Sequence, residues 1–287
     1  MKKKDQILLE EAYLRVYEAA LGSNKPVPLS QISPELAKIA VVSGKQDGNP
    51  QDDIVKAENP KSWSVGKLKP MQKEVIPGKA LAFALGFLKD GQPDLNNMEA
   101  IVSNDGYIMD GHHRWAARTL LDPNALVNVA YVDLPGANLI TALNIWTKAA
   151  GKQGKDGKGN VATFAKDMPA VLEQFITNGT DQWPKLNAEE VKVMLGKVPG
   201  AKGNFNSGKQ IMIKNAALLP AVIPPDAPTR VDMPVVEGPE ELKEVIGRLM
   251  RGEIDWNQPH SAAVQQNIQQ QPTQQAQAPV AQQQARR

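Results

Sequence analysis

The chain has 287 residues, 41% of them hydrophobic and 22% charged, enough for a sizeable buried core in one larger domain or two smaller ones. Its 33 Lys and Arg nearly balance its 31 Asp and Glu, for a net charge of +2, which argues against a surface given over wholly to nucleic acid. There is no cysteine, so disulfides, thiolate catalysis and cysteine zinc sites are excluded. No apolar run approaches the roughly 20 residues of a membrane span, and Asp5, Glu10 and Glu11 break up the segment after the basic start. The expectation is a soluble, cytoplasmic protein with no membrane partner.

In chain order, Ile7, Leu8, Ala12, Leu14, Val16, Tyr17 and Ala20 predict a helix over 5–21, stopped by Gly22 and free to dock on the body or on a protein partner. Ser33-Pro34 opens a short helix over 34–42. The Gly-, Asp-, Asn- and Pro-rich run at 43–63 reads as loop, which makes 26–63 a loop-rich linker. Residues 64–76 look extended. Pro77 begins a helix through Lys89, with Ala80, Leu81, Ala84, Leu85 and Leu88 as its apolar stripe. A strand over 98–103, a turn at Asn104-Asp105-Gly106 and a return strand over 107–109 lead into a helix over 112–121. A strand over 127–133 and a helix over 138–149 complete an α/β unit spanning 64–150.

The run GKQGKDGKGN at 151–160 reads as a flexible basic loop, its lysines those of a solvated linker. Helices are predicted over 161–178, 187–196 and 208–219. The proline-rich 220–239 reads as an irregular segment laid across the core and partly covering its site. A last helix over 240–251 closes a mainly helical accessory region at 151–257. Residues 258–287 hold 12 glutamines and no acid and read as a disordered tail, a second place for a partner to bind. The run at 203–210 nearly has P-loop spacing, but Gln210 stands where Ser or Thr should meet Mg²⁺, so it reads as a loop whose Lys209 could still touch phosphate.

The candidate site is Asp110-Gly111-His112-His113-Arg114, where a hairpin strand gives way at once to a helix. Asp110 is placed to cap the helix, and Gly111 to allow a sharp turn and close approach of a ligand. The free first-turn amides and the helix dipole make an anion site. Arg114 adds a fork for phosphate oxygens, and two of the chain's three histidines stand beside it. The alternative, that the histidines are surface residues of an ordinary helix start, stands open. A histidine metal site is disfavoured, because adjacent histidines point to different helix faces.

From Asp105 to Ala117 the chain resembles the signature of the ParB/sulfiredoxin superfamily, whose small α/β fold carries a Gly-x-x-Arg phosphate-binding turn. The run Lys69-Pro70-Met71-Gln72-Lys73-Glu74-Val75 resembles the upstream box of that family, and the resemblance covers 64–148, about 30% of the chain. Sulfiredoxins need a cysteine where His112 stands, so that activity is excluded. Partition-type ParB proteins bind CTP through a Glu-Arg-Arg turn and continue into a helix-turn-helix, which this sequence does not display. Free-serine kinases carry an Asp-Gly-His-His-Arg turn and a glutamate base upstream, a place that Glu74 matches loosely.

The resemblance implies a mixed α+β fold and a nucleotide-dependent phosphoryl-transfer or NTP-hydrolysing protein using ATP, ADP or CTP with Mg²⁺. Asp110, Gly111, His112, His113 and Arg114 would hold phosphates, His112 or His113 would act as acid or base, Glu74 would activate a small-molecule hydroxyl or a water, and Asp110 would meet Mg²⁺ through water. Lys73 and Lys209 are weaker candidates for substrate or nucleic-acid contact. Two other classes compete: a ParB-like DNA-binding protein or nuclease, and a non-catalytic adaptor of phage origin, which would place the chain in a host cytoplasm.

Overall fold

Alternation along three strands sets the middle layer. In β3 (Asn97–Ser103) Ala100 and Val102 join one buried cluster and Ile101 joins another. In β4 (Tyr107–Asp110) Ile108 and Met109 divide the same way, and in β5 (Leu126–Val132) Val127 and Val129 oppose Ala130 and Val132. A sheet apolar on both faces must be covered on both. The computed structural model describes residues 26–46, 50, 53–91, 97–181, 183–219, 224 and 227–256. The helix expected at 5–21 and the tail at 258–287 lie outside the described residues.

With β1 (Ala57–Ser64) and β2 (Lys69–Pro70), the sheet has five strands in the order β1-β5-β3-β4-β2. It is mixed: β1 runs antiparallel to β5 and β3 antiparallel to β4, while β3–β5 and β2–β4 are parallel pairs. The chain is thus α+β. One face is covered by α2 (Pro77–Lys89) and α3 (His112–Leu121), the other by α1 (Pro34–Ser43) and α4 (Gly136–Ala149). Four more helices come after them: α5 (Phe164–Asn178), α6 (Ala188–Gly196), α7 (Phe205–Ala216) and α8 (Gly238–Met250). The first three extend the cluster under α2 and α3 through Met168, Leu195 and Met212, while α8 packs Leu242, Val245 and Leu249 beside α4. No helix among the described residues is long and apolar enough to cross a membrane.

Three readings of the sequence need correction. The stretch at 43–63 is not all loop, because Ala57–Ser64 is a strand. It lacks apolar alternation and contains Pro60, which a central strand rejects; it is an edge strand, where a missing N–H is tolerated. The run at 203–210 is not a loop throughout, because Asn204 accepts from the Ser207 N–H at 3.1 Å and starts α7 one turn earlier than expected. Residues 151–160 form no regular element and are mostly exposed, yet they are not simply a solvated linker, since they touch Val231 and Glu241. A Cβ at Gly154 would collide with the Val231 carbonyl, so that glycine serves close backbone approach. Lys152 pairs with Glu241 at 2.5 Å.

Candidate functional site

β4 ends at Asp110 and α3 begins at His112, leaving one residue for the turn. Gly111 makes it with φ +93°, and a Cβ there would sit 3.0 Å from the Ala100 Cβ, so only glycine fits. Gly111, and not Asp110, is the N-cap residue. The Asp110 carboxylate instead accepts from the Gly111 N–H and from Arg114 Nη2 at 3.3 Å.

The histidines face inward. His112 is 4% exposed; its Nε2 accepts from the Met71 N–H at 3.1 Å, and its other nitrogen donates to the Ile108 carbonyl. Burial, reinforced by Arg230, lowers its pKa from 6.5 to about 3. His113 Nε2 accepts from the Ile76 N–H at 3.1 Å. Burial first, then Lys79 and Arg230, lowers its pKa to about 2. Both rings are neutral and clamp the 71–76 segment onto α3. The expectation of His112 as a phosphate ligand or acid–base group is therefore corrected, since both its nitrogens are engaged within the fold. His113 borders a cavity beside the turn, but its Nε2 is occupied by Ile76, which removes it as an acid–base group through that atom.

Arg114 is also largely committed to the fold. Its Nε donates to the Met98 carbonyl at 2.9 Å and its Nη2 to the Glu99 carbonyl at 2.8 Å. Glu99 has φ 47°, so the guanidinium fastens a left-handed kink in β3. Glu74 lies away from the cavity where a base is expected, and its Oε2 accepts from the Arg230 N–H at 3.0 Å. It latches the proline-rich segment to the core. Lys73 is exposed and contributes its carbonyl, which accepts from the Val161 N–H at 2.8 Å. Lys209 pairs with Glu173 across α5 and α7. Glu74, Lys73 and Lys209 do not line the cavity.

That cavity has a volume of about 240 Å³. Four cations border it: Lys79 from α2, Arg114 from α3, Lys155 from the 151–160 segment and Arg230 from the strap at 227–238. Two carboxylates answer them, Asp110 on Arg114 and Glu237 on Lys155 at 2.5 Å. Among the described residues, the side chains of Lys79 and Arg230 have neither a hydrogen bond nor an ion pair. Burial lowers the pKa of Lys79, and Arg230, Lys155 and Arg114 lower it further against the pull of Asp110. Asp110 is shifted up, chiefly by burial against the opposing Arg114, although a third of its side chain is open at the cavity mouth.

The strap covers the site as expected from its prolines. Val235 N–H donates to Thr147 Oγ1 at 3.0 Å, and Asn144 Nδ2 donates to the Asp232 carbonyl at 2.9 Å. Lys79 and Arg230 escape a reading of the sequence. Lys79 carries no mark within its predicted helix, and Arg230 lies in a segment without periodicity. No group of three or more His, Asp or Glu residues that could hold a metal occurs among the described residues. Compared with family models, curated proteins and solved structures, the chain matches none.

Proposed function

We propose that the chain is a nucleotide-dependent phosphoryl-transfer or NTP-hydrolysing protein of the ParB/sulfiredoxin fold, holding phosphates in the cavity between the β4–α3 turn and the strap. One observation carries this: four cations border a cavity that holds two carboxylates, and among the described residues the side chains of Lys79 and Arg230 make neither a hydrogen bond nor an ion pair. Like charges held together repel, and an anion between them turns that repulsion into attraction. The N-terminal end of α3 adds its dipole from the same side. A small cleft of about 240 Å³ suits a phosphate group better than a duplex, which would need an extended basic stripe.

In this proposal Lys79 and Arg230 neutralise the phosphates, and Arg114, fixed by two carbonyls, orients them. Phosphoryl transfer asks chiefly for positioning and charge stabilisation. Asp110 is the carboxylate at the mouth, placed to take a proton from a hydroxyl or water. Its single carboxylate also suits Mg²⁺, which would supply charge neutralisation between phosphates and needs few protein ligands.

Thermal-shift titration with ATP, ADP, CTP and GTP, with and without Mg²⁺, tests the proposal on wild type and Lys79→Ala/Arg230→Ala. A ligand selective for the native state raises the melting temperature. The expected result is a nucleotide-dependent rise absent from the double variant, with phosphate release assayed under the same conditions. No rise with any nucleotide contradicts it. Steeply salt-dependent binding of DNA in its place would favour a nucleic-acid-binding protein.

A further inference from the structure

A second cavity of about 640 Å³ adjoins the first along α2, and Lys79 and Phe83 line both. Its other walls are the C-terminal part of α5, through Gln174, Phe175 and Asn178, and the turn that carries Gly179, Thr180, Asp181 and Trp183. Helical spacing explains the shared wall: Lys79 and Phe83, four residues apart, fall on one side of α2. The turn is firmly built. Gly179 caps α5 through the Phe175 carbonyl at 2.9 Å, and Thr180 Oγ1 accepts from the Leu186 N–H at 2.8 Å while donating to the Pro184 carbonyl.

On this frame stands Trp183, 56% exposed, the one tryptophan so open among the described residues. Its ring meets Phe83 edge-on at 5.6 Å between centroids. It lies so close to Gly86 that a Cβ there would collide with the indole. An open aromatic face beside a cation-lined cavity is a surface on which a flat ring can stack.

We infer that this cleft is the nucleoside subsite and takes a purine base against the aromatic wall formed by Trp183, Phe83 and Phe175. The inference rests on the phosphate reading of the first cavity. A nucleoside polyphosphate carries an anion at one end and a flat ring with apolar faces at the other. The two cavities offer those complements in adjoining spaces, with the Lys79 ammonium at their junction. The larger volume falls within the roughly 300–1,000 Å³ of small-molecule sites, and three aromatic rings favour the two-ring base over a pyrimidine. Gln174 and Asn178, four residues apart on α5, bring amides that both donate and accept at a base edge.

Calorimetric titration with tripolyphosphate, ATP and CTP on the full chain separates the subsites. Wild type should bind all three, ATP about tenfold or more tightly than CTP or tripolyphosphate. Trp183→Ala should weaken ATP about tenfold and leave tripolyphosphate unchanged, while Trp183→Phe keeps most of the ATP affinity. Gly86→Ala, which displaces the indole without removing it, should act in the same direction. Unchanged ATP affinity in Trp183→Ala overturns the inference and leaves the phosphate reading standing. Equal loss of ATP and tripolyphosphate also overturns it, because the ring would then serve the fold. Failure of wild type to bind tripolyphosphate or any nucleotide sinks both.

Discussion

The turn at 110–114 and the cover formed by 151–160 and 227–238 border one cavity together with α2, and they are built in opposite ways. The turn is rich in conspicuous side chains, and most of their polar atoms are spent on the fold. His112 and His113 hold Met71 and Ile76, and Arg114 holds Met98 and Glu99. The cover has no motif and no regular element beyond one short turn of 3-10 helix, Arg230–Asp232. It nevertheless supplies Arg230 and Lys155 to the cavity. A motif can thus mark where a site lies while its unpartnered charge comes from elsewhere.

The sharpest way to break this comparison is to cut the turn's internal bonds. His112→Ala removes a buried ring and leaves the Met71 N–H without its acceptor. A loss of about 3 kcal/mol is expected in denaturant unfolding, from the cavity and the unsatisfied donor together. A loss under about 1 kcal/mol would mean that the histidine is no structural clamp. Arg114→Ala should likewise destabilise, so a ligand-binding defect in that variant would not by itself identify a phosphate contact.

Acid gives an effect of comparable size. The folded-state pKa values of about 3 and about 2 lie below the ordinary 6.5, so folding excludes protons from both rings. Each histidine contributes stability that is full above pH 6.5 and is lost as pH falls towards its folded value. The slope is about 1.4 kcal/mol per pH unit for each group. Unfolding free energies at about pH 7, 6 and 5 should show this decline, and His112→Gln should show a shallower one. Stability that is flat over that range would contradict buried neutral rings.

The smallest expected effect concerns the latch. Glu74→Ala removes the acceptor for the Arg230 N–H and should cost about 1 kcal/mol, whereas Glu74→Gln, which keeps an oxygen there, should be nearly neutral. Hydrogen exchange at Arg230 should quicken in Glu74→Ala alone. If Glu74→Gln abolishes turnover while protection at Arg230 is kept, the carboxylate has a chemical role beyond the latch.

Local physics accounts for the parts of the fold that are legible in the sequence. α2 and α3 start and stop where Pro77, Gly111 and Asp122 say they should, and β5 is read from Val127, Val129 and Val132. Trp115 is fully buried, with its indole N–H on the Val65 carbonyl at 3.3 Å. β1 is missed because an edge strand carrying Pro60 and no buried side chain has no period to detect. The site is half legible. Gly111 declares its own turn, but the burial of His112 depends on Met71 and Ile108, and the convergence of Lys79 with Arg230 depends on a strap far downstream in the chain. Such tertiary placement leaves no local pattern.

The most direct test of a phosphate cavity built by unpartnered cations is ATP binding by titration calorimetry. Wild type would be compared with Lys79→Ala/Arg230→Ala and with Lys73→Ala/Lys209→Ala, whose lysines lie outside the cavity. Each lost charge-assisted contact is expected to cost about 1.5–3 kcal/mol, so the cavity pair should weaken ATP by roughly a hundredfold or more while the control pair binds as wild type. Equal ATP affinity in all three proteins would contradict the assignment.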